Sequence, residues 1–299
     1  MKFGLLLPNY SPTASAELII RSARLAEELG YDSVWTTDHV IVPKEQAVPY
    51  GNLIESLIAL SIASTATSKI RLGTSIIVIP QREPILLAKQ LAAIDSISSG
   101  RLILGAGVGW LEKEYQYLGV GEYFNQRGKI FEEYIQVMRS LWSGKSDFQG
   151  QFVSFNDALF SPQPPQGEKL PLWIAGNSAN AINRAAKIAD AWHPVGLKPG
   201  ELAKGTTALR SASNGRHVMV TLRALVEFPE VGGVESQINE GALNSWHILR
   251  GNPENLITDL VDFQKAGLEY IVLWFFHANW NELENSLITF AEDVLPSFR

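Results

Sequence analysis

Short apolar runs alternate along the chain with longer segments in which apolar residues recur about every three to four positions. Runs of about four to eight apolar residues bounded by turn residues are typical of buried strands. The pattern predicts eight strands: Phe3–Leu7, Ser33–Thr36, Arg71–Ile76, Leu102–Gly105, Leu172–Ala175, Ala191–His193, Val218–Phe228 and Tyr270–Trp274. It predicts helices between them: Ser15–Leu29, Glu55–Ala66, Ile85–Ile97, Arg127–Trp142, Ala179–Ile188, Pro253–Ala266 and Glu282–Val294.

This order of elements predicts one α/β domain over residues 1–299, because the composition shows no break. Eight strands separated by helices favour a (β/α)₈ TIM barrel with insertions. The rival fold is a doubly wound open sheet, which usually has fewer strands and a glycine-rich first turn, unlike Pro8-Asn9-Tyr10 here. The longest insertion lies between strands four and five, and we expect it to form a lid or a dimer surface.

The composition narrows the class of protein. The chain has no cysteine, which rules out disulfides and thiolate metal sites. Its net charge of −6 argues against nucleic-acid and anionic-membrane partners. No apolar run approaches the ~18 residues of a membrane helix, and the run near Met1 is too short for a signal peptide. We therefore expect a soluble, cytoplasmic protein.

Candidate catalytic residues follow from the barrel, because barrel enzymes work at the carboxyl ends of their strands. His39 follows strand two and can exchange a proton near neutral pH, and the adjacent Asp38 could orient its ring. A structural histidine that binds a loop carbonyl is an equally open alternative. His193 ends strand six but precedes Pro194, so it is the weaker candidate.

Glycines mark the ends of strands three and four. Small residues at Gly73–Ser75 and Gly105–Gly109 would let a flat ligand touch the backbone. The run Gly105–Gly109 is not the dinucleotide fingerprint, because Trp110 stands where its third glycine should be. Its glycines either admit a ring system or avoid a clash. Tryptophans are mostly core residues, but Trp110 and Trp192 lie at strand ends and could wall an aromatic pocket.

Gly176, Asn177, Ser178 and Ala179 open the helix after strand five. Ser178 is a candidate N-cap, and free amides at a helix start bind phosphate. An ordinary capped loop is the alternative. We predict no metal, because a site built from His39, His193, His277 and Asp38 has no recognisable ligand spacing.

Four segments together resemble the bacterial luciferase-like superfamily, and most closely its branch that uses the deazaflavin coenzyme F420. They are WTTDHV (Trp35–Val40), RLGTSIIVIPQREPILLAKQLAAIDSISSGRLILGAGVGW (Arg71–Trp110), RGKIFEEYIQVMRSLW (Arg127–Trp142) and PLWIAGNSANAINRAAKIADAWHP (Pro171–Pro194). The resemblance implies a (β/α)₈ barrel that binds FMN or F420 at its carboxyl face, usually as a homodimer.

The resemblance also implies roles for single residues. His39 matches a histidine near the reactive ring carbon, and Ser75-Ile76 matches a bulge with a non-proline cis peptide behind the ring. Gly176–Ala179 matches a phosphate loop, and Trp192-His193 matches a strand end beside the cofactor. Sugar-phosphate dehydrogenases of this branch carry an acidic catalytic residue where this chain has Trp110, so the resemblance does not extend to their chemistry or to a sugar-phosphate substrate. The residues expected at the cofactor are Asp38, Ser75, Ile76, Gly107, Trp110, Gly176, Asn177, Ser178, Ala179 and His193.

The sequence thus predicts an oxidoreductase that transfers hydride between coenzyme F420 and a small organic substrate. One alternative is a monooxygenase that uses O₂ and reduced FMN from a separate flavin reductase. Two others are a metal-dependent barrel hydrolase and a flavin-binding protein without turnover. The substrate does not follow from the sequence, because variable loops form its pocket.

Overall fold

Parallel strands close into a barrel in the computed structural model, which describes residues 1–10, 14–231, 246–275, 277 and 279–299. The strands are β1 Lys2–Leu6, β2 Ser33–Thr36, β3 Arg71–Thr74, β4 Ile77–Val78, β5 Leu102–Gly107, β6 Phe148–Gln149, β7 Ser154–Phe155, β8 Leu172–Ala175, β9 Ala191–His193, β10 Met219–Glu227, β11 Ile248–Arg250 and β12 Tyr270–Phe275. The helices are α1 Ala16–Glu28, α2 Ala47–Tyr50, α3 Ser56–Ala66, α4 Pro84–Ile97, α5 Glu112–Tyr117, α6 Arg127–Trp142, α7 Ala179–Ile188, α8 Pro199–Ala212, α9 Pro253–Lys265 and α10 Trp280–Thr289.

The barrel closes between its first and last strands. β1 pairs in parallel with both β2 and β12, so that Leu5 lies opposite Val34 on one side and Leu273 on the other. β10 pairs with β12 along one edge and with the end of β9 along the other. The ring of β1, β2, β3, β5, β8, β9, β10 and β12 therefore has no open edge, and the predicted (β/α)₈ barrel is confirmed. The rival open sheet is wrong.

Short elements differ most from the predictions. The third strand ends at Thr74 rather than Ile76, and β4 continues beyond it by pairing with β5. β11 was not predicted. It lies on the same edge of β10 as β9, but it pairs with the last residues of β10, whereas β9 pairs with the first ones. Helices α5 and α8 were also not predicted. β4 has only two residues and α5 only six, which is too little for a clear period, and α8 contains two glycines.

Large aromatic side chains fill the barrel interior. The rings of Trp35 and Trp173 lie 4.5 Å apart, and Tyr270 packs edge-on against Trp173 at 5.0 Å. A Cβ atom on Gly73 would lie 2.2 Å from the Trp35 ring, and one on Gly105 would lie 1.8 Å from the carbonyl oxygen of Thr74. These two glycines therefore admit the tryptophan and the neighbouring strand. The prediction that they admit a ligand is wrong.

The insertion between β5 and β8 carries α5, α6 and the hairpin of β6 and β7, in which Phe148 lies opposite Phe155. None of the described helices is long and apolar enough to cross a membrane.

Candidate active site

A cavity of about 400 Å³ opens at the carboxyl ends of the barrel strands. Eight of the sequence-predicted site residues line it: Asp38, His39, Ser75, Ile76, Gly107, Trp110, Gly176 and Asn177. Ser178, Ala179 and His193 do not. Other lining residues, which the sequence did not suggest, include Tyr50, Glu114, Arg223 and Trp246.

His39 is held by a carboxylate from the insertion. Its Nδ1 lies 3.0 Å from Oε2 of Glu114, a buried residue of α5. The other carboxylate oxygen accepts hydrogen bonds from the amides of Val40 and Ile41, at 2.7 and 3.3 Å. Burial alone would raise the pKa of Glu114, but the hydrogen bonds from His39 and the two amides outweigh it and lower that pKa. Glu114 is therefore ionised at neutral pH and favours a proton on Nδ1 of His39.

Asp38 has a different partner. Its Oδ1 lies 2.6 Å from Nη2 of Arg82, and its Oδ2 accepts a hydrogen bond from the amide of Val78 at 3.0 Å. Burial raises the pKa of Asp38 despite the opposing effect of Arg82. The expectation that Asp38 orients His39 is wrong, because Arg82 and the β4 backbone engage this carboxylate. Glu114 takes that role from 75 positions further along the chain.

Ser75 and His193 form a chain of hydrogen bonds below the cavity. The peptide bond between Ser75 and Ile76 is cis, as the family resemblance implied. The Ser75 hydroxyl lies 2.9 Å from Nε2 of His193, and Nδ1 of His193 lies 2.6 Å from the Thr221 hydroxyl. Because Thr221 donates its one proton to the carbonyl of Trp192, it accepts from Nδ1 of His193. The Ser75 hydroxyl then donates to Nε2.

This arrangement moves His193 out of the predicted contact with the cofactor. Its ring is fully buried behind Ser75 and does not reach the cavity wall. Burial, with the nearby positive charge of Arg223, lowers the pKa of His193 to about 3. His193 is thus neutral and fixes the orientation of the Ser75 hydroxyl.

The start of α7 borders the cavity. Gly176 and Asn177 line it, and Gly176 adopts φ +125°, a conformation that side chains disfavour. The Asn177 side chain binds both backbone groups of Val195, at 2.9 and 3.0 Å. Ser178 is the N-cap and accepts a hydrogen bond from the amide of Ala181 at 3.3 Å. Ser178 and Ala179 are exposed beside the cavity rather than part of its wall.

The backbone after β5 forms another wall. A Cβ atom on Gly107 would lie 2.4 Å from Cδ1 of Ile76, and one on Gly109 would lie 2.7 Å from Cγ1 of Val78. Trp110 is 52% exposed at the cavity mouth and stands edge-on to His39, with ring centroids 6.2 Å apart. Of the glycines at the ends of β3 and β5, these two bring backbone to the cavity.

Glu114 and Arg223 are the lining residues with ionised side chains that the sequence reasoning missed. Nothing in the local sequence of Glu114 connects it with His39. Arg223 did leave a signal, since it is the one basic residue within the apolar run Val218–Phe228, whose other charged residue is Glu227. Its side chain is 6% exposed and faces the cavity.

The cavity fits a flat cofactor. Its volume lies within the roughly 300–1,000 Å³ of small-molecule sites. Glycine backbone approaches it at Gly107 and Gly109, and a helix N-terminus, which attracts anions, borders it at Ser178. The buried Nε of Arg223 has no hydrogen-bond partner in the described structure, so a polar ligand group could pair with it.

Comparisons with known proteins agree with this architecture. The family model of the luciferase-like monooxygenases matches residues 1–227. An uncharacterised protein of Mycobacterium tuberculosis is 31% identical over 57% of this chain and 65% of its own length. The pyrimidine monooxygenase RutA of Shigella flexneri is 31% identical over 61% of this chain and 48% of its own length.

The chain thus spans less than two thirds of the curated relatives it matches. A solved F420-dependent secondary alcohol dehydrogenase has the same fold, with a TM-score of 0.83 at 19% identity over 100% of this chain and 99% of that one. The predicted superfamily is confirmed: the chain belongs to the family of luciferase-like monooxygenases.

Proposed function

We propose that this protein is an oxidoreductase that binds a flavin-type cofactor in the cavity and transfers hydride between coenzyme F420 and a small organic substrate. The observation that carries the proposal is the pairing of His39 with the ionised Glu114 at the cavity wall. A proton donor or acceptor at this position is what hydride transfer to or from a carbonyl requires. The cofactor, when bound, supplies the hydride.

His39 handles the proton in this proposal. Glu114 accepts a hydrogen bond from the protonated Nδ1, which leaves Nε2 of the neutral ring as the base. When the ring is protonated, the carboxylate stabilises the imidazolium and Nε2 becomes the donor. The same pair can therefore serve oxidation and reduction of a substrate, as microscopic reversibility demands.

Other residues would hold the cofactor. The ring would lie against Ser75, Ile76 and the backbone of Gly107, with Trp110 at the mouth. Its phosphate would lie at the start of α7, where Gly176, Asn177, Ser178 and Ala179 present backbone and the positive end of the helix dipole. Asp38 would act indirectly, by fixing β4 through Val78.

A second candidate function is oxygenation with reduced FMN. The family model and the identity to RutA, named a pyrimidine monooxygenase, favour it. It would require a flavin reductase as partner. A metal-dependent hydrolase finds less support, because His193 binds Ser75 and Thr221 while His277 binds Ser286, so neither joins His39. We also propose that residues 1–299 form a single domain and that the protein is a homodimer. Its cytoplasmic location stays a prediction.

Titration of the purified protein with FMN and F420, each oxidised and reduced, tests the proposal. We expect F420 to bind and its reduced form to be oxidised only with a substrate present. Tight binding of reduced FMN with oxygen-dependent product formation would favour the second function. Binding of a cofactor without any turnover would indicate a flavin-binding protein that is not an enzyme. Binding of neither cofactor would refute the proposal. Gly107→Ala, which displaces Ile76, should weaken binding, whereas Gly200→Ala, where the new methyl meets open space, should not.

A further inference from the structure

Arg223 places a positive charge in the cavity wall, and no acidic side chain among the described residues pairs with it. Its Nη1 donates to the carbonyl oxygen of Ser75 at 2.8 Å, and its Nη2 donates to the hydroxyl of Tyr10 at 2.6 Å. Both acceptors are neutral, because burial raises the pKa of Tyr10. Within the described ranges, no carboxylate lies within 4.0 Å of this guanidinium, and its buried Nε has no hydrogen-bond partner.

Aromatic rings surround this charge. The guanidinium carbon lies 5.8, 5.8 and 5.2 Å from the ring centroids of Tyr10, Trp246 and Trp274. Ring faces attract a cation, but they do not replace the hydration that a buried guanidinium loses. An anion that enters the cavity therefore gains more at Arg223 than it would at a solvated arginine, because the side chain is 6% exposed and a charge interaction is stronger where the dielectric is low.

The rings also connect Arg223 with His39. The His39 ring lies 4.4 Å from that of Tyr50, and Tyr50 stacks on Tyr10 at 5.9 Å. Tyr10 in turn accepts the hydrogen bond from Arg223. Tyr50, beside His39, and Trp246, beside Arg223, both line the cavity. The cavity wall therefore has aromatic rings next to both residues.

We propose that Arg223 binds a carboxylate of the substrate, and that the substrate is a small organic acid whose planar or apolar body lies on Tyr50 and Trp246. This inference rests on the proposed function for its chemistry, since it places the reacting carbon near His39. The fixed fork of the guanidinium suits the two oxygens of a carboxylate. The proposal adds a specificity-determining residue and a substrate class to the site.

Benzoate and benzamide test the proposal, because they have the same shape and differ in charge. Tryptophan fluorescence or calorimetry measures their binding to the protein without cofactor and again with saturating FMN. In at least one state we expect benzoate to bind roughly tenfold or more tightly than benzamide. Arg223→Met should abolish the preference, and Arg223→Lys should keep part of it. Lys265→Met removes the same charge from an exposed site and should leave the preference intact.

Arg223→Met could lose stability, so melting temperatures accompany the titrations. Two further variants keep the test decisive, Arg223→Lys and Tyr10→Phe. Tyr10→Phe removes a hydrogen-bond acceptor of Arg223 but keeps the positive charge, so it should keep the preference for benzoate. Equal affinities of the two ligands for the native protein in both states would overturn the proposal. It would also be overturned if Arg223→Met weakened FMN binding but left the preference unchanged, because Arg223 would then serve the cofactor ring. A benzoate preference in a protein that binds neither FMN nor F420 would support the anion site while refuting the proposed function.

Discussion

The imidazole of His39 is 3.0 Å from the carboxylate of Glu114, although 75 positions separate the two residues in the chain. The same carboxylate binds the amides of Val40 and Ile41, so it fixes both the ring and the loop that follows β2. The loop after one barrel strand is thereby tied to the helix after another. The arrangement matches the pairing of a histidine base with an orienting carboxylate in hydrolytic enzymes.

His39→Ala should slow the chemical step by ~10²–10⁴-fold, the usual contribution of a general acid or base. Cofactor affinity and melting temperature should change little, because the ring is at the cavity wall and not in the core. Single-turnover kinetics with the preferred cofactor measure the effect. His217→Ala, at an exposed histidine, is the control. A variant that unfolds would instead favour the structural role of His39.

Glu114→Gln should impair base catalysis while preserving the fold. The amide oxygen can still accept from Val40, but the amide nitrogen then donates to Nδ1 of His39 and places the ring proton on Nε2. This tautomer cannot take a proton at Nε2, so we expect a rate loss of at least ~10-fold. The pH–rate profile and the kcat and KM values separate this effect from weaker substrate binding. A variant with native kcat at all pH values would show that the carboxylate only anchors the loop.

Ser178→Asp should weaken cofactor binding by about tenfold, or about 1.4 kcal/mol. Aspartate is as good an N-cap as serine, so α7 should persist, but the new negative charge faces the expected phosphate. Ser15→Asp makes the same change at the N-cap of α1, whose start does not line the cavity, and should leave affinity unchanged. Equal affinities of all three proteins would place the phosphate elsewhere.

His193 should make the fold sensitive to acid. Its pKa is about 3 in the folded chain and about 6.5 in an unfolded one, so the unfolded chain binds more protons below pH 6.5. The free energy of unfolding should therefore fall as pH drops from 6.5 towards 3, by about 2 kcal/mol at pH 5. Urea titrations at pH 7 and pH 5 measure the loss. His193→Gln should reduce this difference, whereas His217→Gln should not.

Arg82→Met should destabilise the protein by about 3–5 kcal/mol, because it leaves the buried Asp38 carboxylate without its cation. Asp38→Asn combined with Arg82→Met should recover part of this loss, since the fully buried carboxylate is then replaced by a neutral amide and only the half-buried Glu55, which also pairs with Arg82 at 3.0 Å, loses its cation. A double-mutant cycle by chemical denaturation measures the coupling. Additive effects of the two substitutions would show that the pair contributes no interaction of its own.

The sequence alone determined the order of the barrel strands, because burial on both faces leaves short, continuous apolar runs between helices of clear periodicity. It also determined which loops border the cavity, since the barrel brings all carboxyl strand ends to one face. His39, Ser75, Gly107 and Asn177 were found in this way. Trp110 was found because it follows a strand end.

Only the tertiary structure decided which side chains pair with one another. Glu114 rather than Asp38 holds His39, and His193 lies behind Ser75 rather than in the cavity. Gly73 and Gly105 serve packing, whereas Gly107 and Gly109 serve the cavity. Local patterns specify the face on which a residue lies. Partners from distant segments depend on rotamers, close packing and charge in three dimensions, and these leave no fixed spacing in the chain.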